Sequence, residues 1–252
     1  MVKGLAKFRE QFRTFSGQYV LIGGTACDLL MEEAGLEFRA TKDLDIVLCV
    51  EVLDAAFVRA FWAFVRAGKY QIQQIASEKP RYYRFLKPET DEYPYMLELF
   101  ARKPDTLVLA ESAHLTPIPI DEDISSLSAI LLDDAYYAFL HSGIRTIDDI
   151  PIVGPEHLIP LKARAWLDLN RRKKAGEAID SKSIAKHKND VFRLYRVIDP
   201  ASKIAIPRDV CADMRAFLDA MRSESVYLKN LGIKNQGQDS ILGELRRLYV
   251  HD

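Results

Sequence analysis

Residues 19–50 read YVLIGGTACDLLMEEAGLEFRATKDLDIVLCV, and this stretch decides the fold. The segment QYVLI predicts a short buried strand, stopped by the adjacent Gly23 and Gly24. TACDLLMEEAG predicts a helix that starts at or near Thr25 and ends near Gly35, and LDIVLCVE, apolar and β-branched after its two acids, predicts the next strand. The unit is strand, glycine turn, helix, strand, with Asp43-Leu44-Asp45 at the head of the second strand.

Residues two apart on a strand project from one face, so the carboxylates of Asp43 and Asp45 lie about 7 Å apart along the chain direction. Their repulsion is relieved by a divalent cation between them; a solvated pair at a strand edge is the plain alternative. A strand that breaks at Gly-Gly-Thr to open a helix leaves free N–H groups and a positive dipole end, which suits a triphosphate. A tight turn needing positive φ explains the glycines equally well. Glu98, between apolar residues in YMLELFAR, is a third acid in a place where a carboxylate needs a ligand or partner. An ion pair with Arg81, Arg84 or Arg102 is the alternative for it. Asp133 competes for the same role, but another acid and a turn follow it at once.

Working outward, Leu5, Phe8, Phe12 and Phe15 form an apolar stripe on an opening helix, and VLDAAFVRAFWAFVRAGKY predicts a helix ending at Gly68. YQIQQIA, RYYRFLK and YPYMLELFAR predict strands, hence a mixed or antiparallel sheet. Between His114 and Asp149 the pieces LTPIPI, LSAILL and AYYAFL look β-like. From Pro155 the texture is helical: PEHLIPLKARAWLDLNRR with a stripe of Leu158, Leu161, Ala165 and Leu169, then SKSIAKHKNDVFRLYRVI, PRDVCADMRAFLDAMRS and QDSILGELRRLY. The expectation is an α+β fold: a mixed sheet flanked by helices over 1–153, followed by a helical domain over 154–252.

Composition narrows the classes. The 252 residues are 48% apolar with a formal net charge of −1, which excludes a uniformly basic nucleic-acid binder. Yet residues 162–196 hold eleven Lys or Arg against four Asp or Glu, a place for an anion to dock. Cys27, Cys49 and Cys211 form no CxxC pair, against a disulfide framework or structural zinc, and no segment reaches the length of a membrane span. A soluble cytoplasmic protein is expected. His114, His141, His157, His187 and His251 have no ligand spacing, and Cys27 is expected to pack.

Taken together, strand, Gly-Gly-Thr, helix, Arg39-x-Thr41-x-Asp43-x-Asp45 and a later strand acid resemble the DNA polymerase β-type nucleotidyltransferase superfamily. Within it the chain looks like the AbiEii/AbiGii-type nucleotidyltransferase toxins of type IV toxin-antitoxin systems. GPEHLIPLKARAWLDL with Lys162, and KHKNDVFRLYRVI with Lys188 and Asp190, are similar to the helical-half motifs of those proteins. One departure is Glu98, where most of the superfamily has Asp. The resemblance implies transfer of a nucleoside monophosphate from an NTP to an acceptor hydroxyl, with a two-metal Mg²⁺ site on Asp43, Asp45 and Glu98. It implies phosphate contacts at Gly23, Gly24 and Thr25, with Lys162 neutralising the triphosphate. Arg39 and Thr41 become positioning or phosphate residues, Lys188 a phosphate candidate, and Asp190 an orienting partner for a neighbouring Lys or Arg. The implied acceptor is an RNA such as tRNA and the implied partner an antitoxin. A small-molecule or protein hydroxyl, or a catalytically degenerate nucleotide- or partner-binding protein, are the other readings.

Overall fold

The computed structural model describes residues 2–75, 81–103, 115–118, 128–199, 201–202 and 204–251. The acidic run at 121–126 and His114 lie outside these residues. The fold is α+β, a mixed sheet with helices on it and a helical C-terminal part.

Helix α1 (Leu5–Phe12) turns Leu5, Phe8 and Phe12 inward, as their spacing predicts. Strand β1 (Tyr19–Ile22) leads directly into α2 (Gly23–Glu33), and β2 (Asp43–Leu48) returns antiparallel to β1. Helix α3 (Ala55–Ala67) is capped by the Asp54 side chain, which accepts from the Phe57 N–H at 2.8 Å. Its apolar face meets α1 in a cluster of rings: Phe12 lies within 6.1 Å of the Phe57, Phe61 and Phe64 centroids. Strands β3 (Gln71–Ile75), β4 (Arg81–Leu86) and β5 (Met96–Ala101) follow, then β6 (Leu115–Pro117) and β7 (Ser128–Leu131).

Two departures from the sequence reading occur before residue 154. AYYAFL is helix rather than strand: α4 (Asp134–Ser142) starts where Asp133 accepts from the Ala135 and Tyr136 N–H groups. A side-chain cap and burial of Tyr136, Tyr137, Phe139 and Leu140 at helical spacing override the aromatic β-propensity. IRTIDDIPIV then forms a hairpin, β8 (Ile144–Ile147) and β9 (Ile150–Val153), whose two-residue turn holds Asp148 and Asp149 at φ 50° and 64°. Positive φ at both positions is the twist-matched hairpin turn, and Asp tolerates it. The sheet order is β3-β4-β5-β2-β1-β9-β8, with β7 pairing β5 and β6.

The helical part comprises α5 (Pro155–Lys174), α6 (Ser181–Tyr195), α7 (Arg208–Met221) and α8 (Gln238–Tyr249). Pro160 inside α5 has no N–H to give the Glu156 carbonyl; the Tyr249 hydroxyl donates to that oxygen instead, at 2.8 Å. The predicted stripe on α5 is rotated. Leu158, Ile159, Lys162, Ala163 and Trp166 are buried, whereas Leu161, Ala165 and Leu169 are only partly so. One contiguous apolar core runs from Val2 to Tyr249 through both parts. No helix of the described residues is long and apolar enough to cross a membrane.

Candidate active site

Antiparallel pairing places the end of β1 beside the start of β2, with Ile22 opposite Asp45. The glycine turn therefore meets the acid pair at once. Gly23 has φ +70°, and a Cβ built there would sit 1.7 Å from the Asp45 Oδ2. A Cβ on Gly24 would sit 2.4 Å from the Thr41 Oγ1. The glycines are needed for two reasons that add: a left-handed conformation at Gly23, and close approach of the Asp45 and Thr41 side chains to both positions. The Thr25 hydroxyl is buried and donates to the Asp43 carbonyl at 2.7 Å, so it ties the start of α2 to β2. The helix starts at Gly23, two residues before the expected position, because both glycines belong to its first turn.

Asp43 and Asp45 share a face of β2, and β2 pairs in parallel with β5 so that Asp45 is opposite Glu98. Burial pushes the Asp45 carboxyl above its ordinary value; Lys162 pulls it back, Asp43 raises it, and Lys186 and the Gly24 N–H favour its charged form. The same face carries Arg84, opposite Glu98 on β4. Arg84 donates through Nε to the Glu98 Oε1 at 2.6 Å and through Nη2 to the same oxygen. Burial raises the Glu98 carboxyl and Arg84 opposes that. Of the three arginines the sequence offered to Glu98, Arg84 is the partner.

The groups that act on Asp45 from the helical part are cationic. Asp190 on α6 is fully buried and accepts from Arg39 in two bonds, Nε to Oδ1 at 2.9 Å and Nη2 to Oδ2 at 2.7 Å. Lys162 Nζ lies 3.8 Å from the Asp190 Oδ2, and Arg193 Nη1 3.2 Å from its Oδ1. Burial alone would raise the Asp190 carboxyl, but the Arg39 hydrogen bonds, then Lys162, hold it below the usual carboxylate range. Asp190 thus pairs with Lys and Arg and orients them.

Lys186, one turn before Asp190 on α6, is a residue the sequence reading missed. Its ammonium is drawn below its ordinary value by desolvation and by the neighbouring Arg39 and Lys162 charges, while Asp190 and Asp45 oppose this. The spacing Lys186-x-x-x-Asp190 was the available signal, since it places both on one helix face. Lys188, named from the motif, faces elsewhere: its Nζ binds the Glu224 carboxylate at 2.6 Å and the Ser225 carbonyl at 3.1 Å. His187 is pushed down to about 4, by burial first and then Lys162. Cys27 is buried and its thiol is pushed up to about 12, the signature of packing.

The donor set fits one hard cation. Asp43 and Asp45 offer oxygens on one face of β2, the hard donors that a divalent cation takes. Among the described residues no group of three or more His, Cys, Asp or Glu side chains could hold a metal.

Gly23→Ala is expected to destabilise the chain by at least ~1 kcal/mol from the left-handed backbone alone. It should also erase the thermal shift produced by Mg²⁺, because its methyl group displaces the Asp45 carboxylate. A melt with unchanged Mg²⁺ response would refute the close-approach argument.

The solved structures to which the chain is similar include the following. The Megavirus polyadenylate synthase is 13% identical, over 87% of this chain and 36% of that one, with a TM-score of 0.39. JHP933 from Helicobacter pylori is 15% identical, over 98% and 88%, at 0.41. The antibiotic-resistance factor ANT(2″)-Ia is 12% identical, over 86% and 92%, at 0.39. No family model matches the chain, and no curated protein does.

Proposed function

We propose that the protein is a nucleotidyltransferase, moving a nucleoside monophosphate from an NTP to an acceptor hydroxyl with release of pyrophosphate. One observation carries the reading: Asp45 of the acid pair lies within electrostatic reach of Lys162 and Lys186, which gather with Arg39 about the buried Asp190. Acids and bases so divided suit a nucleotide that presents phosphates to both groups through a divalent cation on one of them.

Asp43 and Asp45 would hold that cation, which supplies shielding of phosphate charge and polarisation of the α-phosphorus. Lys162 and Lys186 receive the β- and γ-phosphates, while the Gly24 N–H at the start of α2 serves the Asp45 carboxylate. Asp190 fixes the Arg39 guanidinium through Nε and Nη2, so the arginine is oriented before the nucleotide arrives. In the step itself the acceptor oxygen bonds to the α-phosphorus, the bond from that phosphorus to the bridging oxygen breaks, and pyrophosphate takes the electron pair. The acceptor proton passes to Glu98, whose Oε2 has no hydrogen-bond partner among the described residues and whose carboxyl is raised by burial.

The acceptor is read as RNA, tRNA being the example, with the enzyme acting as a toxin controlled by an antitoxin. Much of the basic surplus at 162–196 is already spent: Arg171 and Arg172 pair with Asp168, Arg193 with Asp190 and Lys188 with Glu224. Lys174 and Lys182 have no carboxylate partner within salt-bridge distance among the described residues, and these support an RNA-facing role. The test is incubation with each α-labelled NTP, Mg²⁺ and separate pools of tRNA, protein and small acceptors. Label is expected in the RNA, falling with log salt by a slope of about 0.7 per phosphate contact. Label only in another pool replaces the acceptor; label in none overturns the reading.

A further inference from the structure

The Arg84–Glu98 pair alters the charge count of the acidic face. Register brings Asp43, Asp45 and Glu98 to one side of the sheet, and Arg84 joins them from β4. The Arg84 guanidinium meets the Glu98 charge directly, so the carboxylates on this face without a guanidinium bonded to them are Asp43 and Asp45, the second of which Lys162 and Lys186 act on from the helical part. The geometry agrees, since Glu98 held on Arg84 does not converge with the aspartates into a three-residue metal site among the described residues. A guanidinium is always charged, weakly hydrated and forked, so it suits a carboxylate that is only 8% exposed. It also needs no cation from solution.

We propose that the centre takes a single divalent cation, on Asp43 and Asp45, and that the Arg84 guanidinium occupies Glu98 where a second cation would otherwise bind. This rests on the cation site of the proposed transferase. Arg84 is then a positioning residue as well: it fixes Oε1 and leaves Oε2 turned to the acceptor.

The experiment is Mn²⁺ binding to the full chain, read from the loss of the free-ion resonance signal and without nucleotide, alongside thermal melts. Wild type should bind one Mn²⁺, and Glu98→Gln should bind the same number with affinity within about threefold. Arg84→Gln should gain a second, weaker Mn²⁺, lost again in Arg84→Gln/Glu98→Gln. Two Mn²⁺ in the wild type, one of them removed by Glu98→Gln, overturns the inference and leaves the transferase reading standing. No Mn²⁺ bound by the folded wild type overturns both. Should Arg84→Gln fail to fold, the Glu98→Gln comparison decides alone, because glutamine keeps the bond from Arg84.

Discussion

Asp45→Asn is expected to abolish nucleotide transfer, by a factor of about 10³ or more, and to make the cation-free chain more stable. The two effects share a cause. Asp45 is held at a carboxyl pKa above its ordinary value, by burial first, with only partial relief from Lys162. A raised folded pKa means the native state binds the proton more readily than the unfolded chain does. The cost is therefore absent below the unfolded pKa of about 3.9, and grows as pH rises through the folded value. Asparagine removes it, so the gain should vanish in acid and reach on the order of 1 kcal/mol at neutral pH, about 2–4 °C in Tm. Mg²⁺ should stabilise the wild type and leave the variant unmoved. Scanning calorimetry across pH, with and without Mg²⁺, checks this; a variant less stable than the wild type at neutral pH would contradict it.

The second large effect is expected at Asp190. Asp190→Ala should cost about 3–5 kcal/mol, the usual penalty for removing one member of a buried ion cluster. Arg39, Lys162 and Arg193 would be left facing one another without the carboxylate that joins them. Because the Asp190 carboxyl lies below its ordinary range, its contribution is present above the unfolded pKa and is lost as pH falls through the lower folded value. The variant should lack that part of the acid limb of the stability curve. Asp190→Asn, which retains shape but not charge, should fall between the two and raise the KM for NTP. Urea melts at several pH values measure the first claim and steady-state kinetics the second.

The first fifty residues were legible because local chemistry and tertiary geometry agree there. Gly23 and Gly24 mark the turn, Asp43 and Asp45 mark the strand, and antiparallel pairing joins them without help from distant residues. Lys162 could be named, but its burial could not, since beyond Leu158 the apolar stripe that spacing picked out is rotated by one residue, about 100°, from the buried face. Lys186 and Lys188 exchanged places because two helix positions, about 200° of rotation, decide whether a lysine faces Asp190 or Glu224, and periodicity in a run of lysines leaves that choice open. AYYAFL was misread for a similar reason: its helix depends on the Asp133 cap, and aromatic composition alone favours a strand.

The Arg39–Asp190 bond joins residues 151 positions apart. At synthesis rates of about 5–20 residues per second, Arg39 leaves the ribosome roughly 8–30 s before its partner exists. The acid pair can fold with the early strands, but the cationic cluster cannot form until α6 has emerged. A nascent or prematurely ended chain would carry Asp43 and Asp45 without the Lys162 and Lys186 charges that relieve Asp45 in the finished fold.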